Sequence, residues 1–293
     1  MPRAPSSIVA DSWNRRIGTL WAKLFSAHAL GRHGCVVEVG PGFADKVGLG
    51  LAGGGFGGTL YVVEPNQAAC GWIAGRYRQL LPEADIVPLA EPIPSARLLT
   101  GNVDVLVMNH VLDDLVLNAA LAPGDRERVF GRMRPDRPAS PKVAQTWQRM
   151  FADPSALGAL CAQVVADLRR LLARTTPRVF GASQYQSWYL TANGLGAVDR
   201  LAAGLLADLA VPIGATSASD RAILRRHGQD PDRWLVREVG SGGWETEPPR
   251  RVLVPSHRRA LLRFRWQHRR CLLLAGAPAP AAEAGTDDAR RLH

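Results

Sequence analysis

Four short stretches carry residue types that can do chemistry together. Glu38-Val39-Gly40-Pro41-Gly42 sets a carboxylate two residues ahead of a glycine pair. Glycines there allow a sharp turn and let a ligand come close to the backbone. Glu64-Pro65-Asn66 closes a second apolar run, and a carboxylate at that point can accept both hydroxyls of a ribose. Asn109-His110 closes a third run and is followed by Asp113-Asp114. An imidazole there suits a general base, with His110 and Asp113 as candidate catalytic groups and Asp114 as a helper. The plainer roles are a ring packed at a ligand's edge for His110 and a helix cap for the two aspartates. Glu91, between Ala90 and Pro92, is a further candidate contact. Asp113-Asp114 lacks a third ligand at metal spacing, so no metal is expected.

These residues need elements to hold them. Cys35 to Val39 is a short apolar run with the composition of a strand buried on both faces. From Phe43 to about Leu51 the composition is helical, so the glycine turn opens on a helix N-terminus, where N–H groups and the helix dipole face a ligand. Thr59 to Val63 reads as the second strand, stopped by Pro65, with Asn66 capping a helix over 67–81. Asp85 to Leu89 and Val103 to Met108 are the third and fourth strands, and Pro177 to Ser183 the fifth. Helices are expected over 8–30, 155–174 and 195–210. Gly53-Gly54-Gly55-Phe56-Gly57-Gly58 stands at a helix end, which makes it a C-cap and loop rather than a phosphate cradle.

Strands alternating with helices on short links imply an α/β fold: a doubly wound, mostly parallel sheet with helices on both faces. Residues 122–150 interrupt the rhythm with Pro and Arg, and read as an irregular insertion, either a mobile lid or a loop. Leu262, Phe264 and Trp266 alternate with Arg263 and Arg265, and with Cys271 to Ala275 predict an antiparallel hairpin ending the sheet. Trp234 to Val239 is another strand without an assigned place. The expected organisation is an N-terminal helical segment over 1–30, a main domain over 31–276 and a disordered tail over 277–293.

The chain has 293 residues, 46% apolar, and a net charge of +10. Residues 221–270 hold 13 arginines against five acids, but with only three lysines in the chain the arginine excess also fits a GC-rich coding bias. Aromatics interleave with the basic residues only at Arg263-Phe264-Arg265-Trp266, so nucleic acid is an alternative partner and not the favoured one. No run is long and apolar enough for a membrane span, and no apolar leader is evident near Met1. The four cysteines are widely spaced, without C-x-x-C pairs, so a reducing cytoplasm is expected.

The first turn does not fit two common nucleotide motifs. Asp45 stands where a dinucleotide fold wants its third glycine, and no P-loop lysine follows. What remains, E-x-G-x-G followed by an acid ending the second strand, resembles the class I S-adenosylmethionine-dependent methyltransferases, over residues 35–183. Glu38-Val39-Gly40-Pro41-Gly42 is similar to the family's first motif, Val62-Val63-Glu64-Pro65-Asn66 to its second, and Val103 to Leu112 to its fourth-strand motif. The resemblance implies a Rossmann-like fold with S-adenosylmethionine as cofactor. It assigns Glu38, Gly40, Pro41, Gly42, Glu64, Pro65, Glu91 and Asn109 to cofactor binding, with Glu64 on the ribose and Glu91 on the adenine amine.

The expected activity is methyl transfer to a small molecule. The arginine-rich insertion and C-terminal region suit an anionic acceptor. Alternatives are methylation of RNA, an aminopropyltransferase-like enzyme, for which Asp113-Asp114 speaks, and a non-catalytic scaffold of the same fold. Tyr185, Trp188 and Tyr189 suit an acceptor pocket or the core. Oligomeric state is open, a homodimer included.

Overall fold

The computed structural model describes residues 11–93, 103–130, 141–184, 201, 205, 217–231 and 234–238. The chain runs α1 (Asp11–Ala27), β1 (Cys35–Val39), α2 (Lys46–Gly53), β2 (Thr59–Val63), α3 (Gln67–Leu80), β3 (Asp85–Leu89) and β4 (Val105–Asn109). It continues through α4 (Leu112–Ala120), α5 (Pro123–Phe130), α6 (Pro141–Ala152), α7 (Pro154–Thr175), β5 (Val179–Ser183), α8 (Ala218–Arg226) and β6 (Trp234–Glu238). The strands form one sheet in the order β3-β2-β1-β4-β5-β6, parallel except for β6.

The period of two along each strand sends side chains into two separate apolar layers. Val36, Leu60, Val62, Val105 and Val107 pack with α1, α2, α3 and α8. Val37, Val39, Val63, Leu106, Met108 and Phe180 pack with α4, α6 and α7. Both faces of the strands are therefore covered, which is why β1 and β4 read as nearly unbroken apolar runs. The N-terminal helix is part of this cover: Ile17, Leu20, Trp21 and Leu24 are fully buried on the β-sheet side of α1.

Three expectations change. The antiparallel strand at the sheet's edge is β6, pairing Trp234 with Ser183 and Glu238 with Val179. Residues 184–233 separate it from β5, so the pair is not a hairpin; helix 195–210, apart from the helical and buried Leu201 and Leu205, the 262–275 hairpin, the tail and Tyr185, Trp188 and Tyr189 lie outside the described residues. β6 is held there because Trp234 and Val236 enter one apolar layer while Leu235 enters the other. Secondly, the insertion is helical over its described parts. Pro123 and Pro141 each occupy the first residue of a helix, where a missing N–H costs nothing. Val143, Trp147 and Met150 then lie on one stripe of α6, and Trp147 is fully buried against the core. Thirdly, α2 starts at Lys46 and not near Phe43. Asp45 precedes it without capping by its side chain. Its carboxylate instead accepts from Asn14 Nδ2 at 3.2 Å and Arg76 Nε at 2.9 Å.

The Gly-rich run after α2 is a helix end and loop, with Gly54 as C-cap, and Asn66 caps α3 by accepting from the Ala69 N–H at 3.2 Å. Among the described residues, no helix is long and apolar enough to cross a membrane.

Candidate functional site at the carboxyl end of the sheet

Sheet order alone singles out one place. β2 and β3 lie to one side of β1, and β4, β5 and β6 to the other, so the chain changes direction between β1 and β4. Connections leaving in opposite directions open a crevice at the strands' carboxyl ends. A cavity of about 560 Å³ occupies that position, within the range of small-molecule sites. Its floor is Val39, Gly40, Gly42, Val63, Glu64 and Pro65, and one wall is the outer side of α4 with the facing side of α7.

The glycine turn is built for close approach. Gly40 has φ +64°, and a Cβ added there would lie 2.1 Å from Val111 Cγ2. Gly42 has φ +56° with no atom within 4 Å of its Cβ position, so the space above it is open to the cavity. The Gly40 N–H is bonded to the Val63 carbonyl at 2.8 Å, which ties the turn to the end of β2.

Glu64 is the central polar group. Its Oε2 accepts from the Gly42 N–H and its Oε1 from the Asn66 N–H, both at 2.9 Å. The side chain is thus locked between two turns while it borders the cavity. Burial raises its proton affinity, and the two N–H donors pull it back toward the ionised form. Each carboxylate oxygen has further lone pairs for a ligand's hydroxyls.

The other expected residues divide. Gly40, Gly42, Glu64 and Pro65 line the cavity; Pro41, Glu91, Asn109, His110 and Asp113 do not, although Pro92 and Ile93 beside Glu91 do. Glu38 sits behind the turn, buried, accepting from the Tyr77 hydroxyl at 2.7 Å. Burial pushes its pKa up to about 8, with Glu64 and Asp45 adding to the rise and Tyr77 and Lys46 opposing it. In this structure it anchors the turn. Asn109 is equally committed: its Oδ1 accepts from Trp21 Nε1 at 3.1 Å and from Ser183 Oγ at 2.9 Å.

His110 has the left-handed φ of +58° and donates its backbone N–H to the Ser183 carbonyl at 2.8 Å. Burial, reinforced by Lys46, lowers its pKa to about 3, so the imidazole is neutral at ordinary pH. The register of α4 separates the two aspartates. Asp113 is buried on the side of Val116 and Leu117, whereas Asp114 shares the cavity side with Leu115, Asn118 and Ala119. The period of helical side chains, 100° per residue, contains that distinction already in the sequence.

Sequence reasoning missed Asn66 as a cavity residue, Arg126 on α5, and Gln163 and Asp167 on α7. The last two are one turn apart, on a stripe of α7 that its buried leucines do not use. Arg126 stands in the stretch expected to be a mobile lid or a loop, and only α5 gives it a fixed place at the cavity. Among the described residues, no three His, Cys, Asp or Glu side chains are grouped to hold a metal. Comparison with protein-family profiles and with curated proteins gives no match for this chain.

Proposed function

We propose that this is an S-adenosylmethionine-dependent methyltransferase on a Rossmann-like sheet, with a small molecule as acceptor. The observation that carries the reading is Glu64, held by the Gly42 and Asn66 N–H groups at the rim of a cavity whose floor is the glycine turn. A nucleoside fits this arrangement. Its ribose hydroxyls would donate to Glu64, and its base would lie among the apolar groups of Pro65, Pro92 and Ile93. The open side of Gly42 leaves room for the chain attached to the ribose.

When bound, S-adenosylmethionine supplies a methyl group on a sulfonium, already an excellent leaving group. The protein's task is alignment and exclusion of water, worth more here than acid–base chemistry. Glu64 fixes the ribose end, and Gly40, packed on Val111, fixes the height of the turn. Leu115, Ala119, Leu160 and Val164 close the cavity with apolar surface against water. Asp113, buried with Val116 and Leu117 on the other side of α4, supports the wall. Of the two aspartates, Asp114 is the one that borders the space where an acceptor would sit.

Calorimetry with S-adenosylhomocysteine tests the reading. Wild-type protein should bind it, and Glu64→Ala should weaken binding by about 100-fold, two hydrogen bonds to a charged acceptor being lost. Because Glu64→Ala strands two N–H groups and Glu64→Gln would set its NH2 against one of them, melting is checked alongside for both variants. No heat with the wild type would sink the methyltransferase reading and leave the scaffold.

A further inference from the structure

Building on the methyl-transfer reading, we propose that the acceptor is an amine. Asp114 binds its ammonium group and then takes the proton that must leave before the nitrogen can attack.

The polar lining of the cavity points there. Among the described residues, its ionisable side chains are Glu64, Asp114, Asp167 and Arg126, an acidic set in a chain of net charge +10. Three of the four are already engaged. Glu64 is held by two N–H groups. Asp167 accepts from Gln163 at 3.0 Å and pairs with Arg170. Arg126 spends its Nε on the carbonyls of Asn118 and Leu121, each at 2.8 Å. Among the described residues, no hydrogen bond or ion pair reaches the Asp114 carboxyl. The charges that act on it are Asp113 and Glu64, both negative, so its proton affinity rises well above the usual carboxylate range through burial and these neighbours.

A carboxyl in such a place is neutralised either by a proton or by a cation. The apolar wall around it, Leu115, Ala119, Leu160 and Val164, admits an organic cation more readily than a hydrated metal ion. This chemistry disfavours the anionic acceptor that the arginine-rich composition suggested. It also assigns a use to the raised proton affinity. An ammonium cannot attack, because its lone pair holds a proton. Transfer of that proton to Asp114 frees the lone pair, which forms the new N–C bond as the C–S bond breaks and its electrons stay on sulfur. The methylated nitrogen carries the positive charge away, and Asp114 keeps its proton until the next ammonium enters, when that proton passes to water. A base with affinity lifted toward that of an amine is better matched to this transfer than an ordinary carboxylate.

The donor also carries an ammonium group, on its methionine portion, and the experiment separates the two sources. Protein saturated with S-adenosylhomocysteine is titrated calorimetrically with 1,4-diaminobutane and with 1,4-butanediol, equal in length but uncharged. The diamine should bind about ten- to a hundred-fold more tightly, as expected for a hydrogen bond to a charged group. Asp114→Asn should erase that preference while S-adenosylhomocysteine binds as before. Equal binding of diamine and diol by the wild type would overturn the amine site. So would an Asp114→Asn variant that loses affinity for S-adenosylhomocysteine but not for methylthioadenosine, which lacks the amino-acid portion, since Asp114 would then hold the donor. If wild-type protein binds no S-adenosylhomocysteine, the methyl-transfer reading fails by itself. The diamine–diol comparison is then run on the protein alone, where a missing preference overturns the amine site too.

Discussion

The two faces of the sheet are packed in opposite ways. On the side of α1, α2 and α3, helices approach until no room is left for a methyl group. A Cβ at Gly50 would lie 2.7 Å from Trp21 Cβ, one at Gly18 2.7 Å from Leu49 Cβ, and one at Gly48 2.2 Å from the Tyr77 ring. On the other side, α4 and α7 are held apart at the strands' carboxyl ends, and the gap is the 560 Å³ cavity. The same strands serve both faces. The difference shows where rigidity and space have been allotted: the solid face fixes the ends of β1 and β4, so that the hollow face can offer a defined shape without filling it.

Adding volume to each face should break this symmetry most visibly. Gly48→Val drives the Tyr77 ring away and takes its hydroxyl from the buried Glu38 carboxyl. Overpacking plus a stranded polar group should cost about 3–5 kcal/mol, read as a melting point lower by roughly 10 °C. Ala119→Leu adds the same three carbons, but into the cavity. It should leave stability within about 0.5 kcal/mol, the range of changes away from packed sites, and abolish binding of S-adenosylhomocysteine. Comparable destabilisation by both substitutions would mean that the hollow face is as tightly packed as the solid one.

Protons sharpen the same contrast, because the buried titratable groups behind the turn pull in opposite directions. Glu38 has a pKa of about 8 against an ordinary 4.5. Between those values the unfolded chain has lost a proton that the folded chain keeps, so stability falls as pH rises, by up to about 1.4 kcal/mol per pH unit. His110 has a pKa of about 3 against 6.5. Between those values the unfolded chain binds a proton that the folded chain refuses, so stability falls as pH drops. The two effects offset one another where the windows overlap, giving a plateau with a decline on either side. Glu38→Gln, which keeps an acceptor for Tyr77, should make the alkaline decline shallower, leaving the part owed to the raised proton affinities of Asp114 and Glu64. His110→Asn should remove the acid one, and Asn tolerates the left-handed backbone found there. Urea midpoints across the pH range read both; an alkaline slope unchanged in Glu38→Gln would assign it wholly to other groups.

How far the sequence reveals this depends on whether local chemistry or distant partners decide each feature. β1, β2, β4 and β5 were legible because strands buried on both faces need unbroken apolar runs. The glycine turn and Glu64 were legible because a turn needs residue types that few other sites require. Glu38 and Asn109 looked like ligand contacts, being polar residues at the right spacing. The partners they have in the structure, Tyr77 and Trp21, lie 39 and 88 residues away and leave no local trace. The helices of the insertion were readable in principle, from Pro123 and Pro141 at helix starts, but the density of Pro and Arg concealed them. β6 could be recognised as a strand and not placed, since its neighbour is fixed by two apolar layers formed by distant segments.

The finest link between the faces is Trp21. Its ring lies 5.6 Å from Phe25 and 5.0 Å from Trp234, between centroids, and over Gly181, while its N–H reaches through to Asn109 at the end of β4. Trp21→Phe removes that donor and part of the ring. Asn109 keeps its bond from Ser183 Oγ, so no buried acceptor is stranded, and the cost should be about 1–2 kcal/mol. Neither Trp21 nor Asn109 borders the cavity, so affinity for S-adenosylhomocysteine should stay within about two-fold, as for sites that share no partner. A ten-fold loss of affinity at that modest cost in stability would show that the solid face sets the position of Val111, and through it the height of the glycine turn.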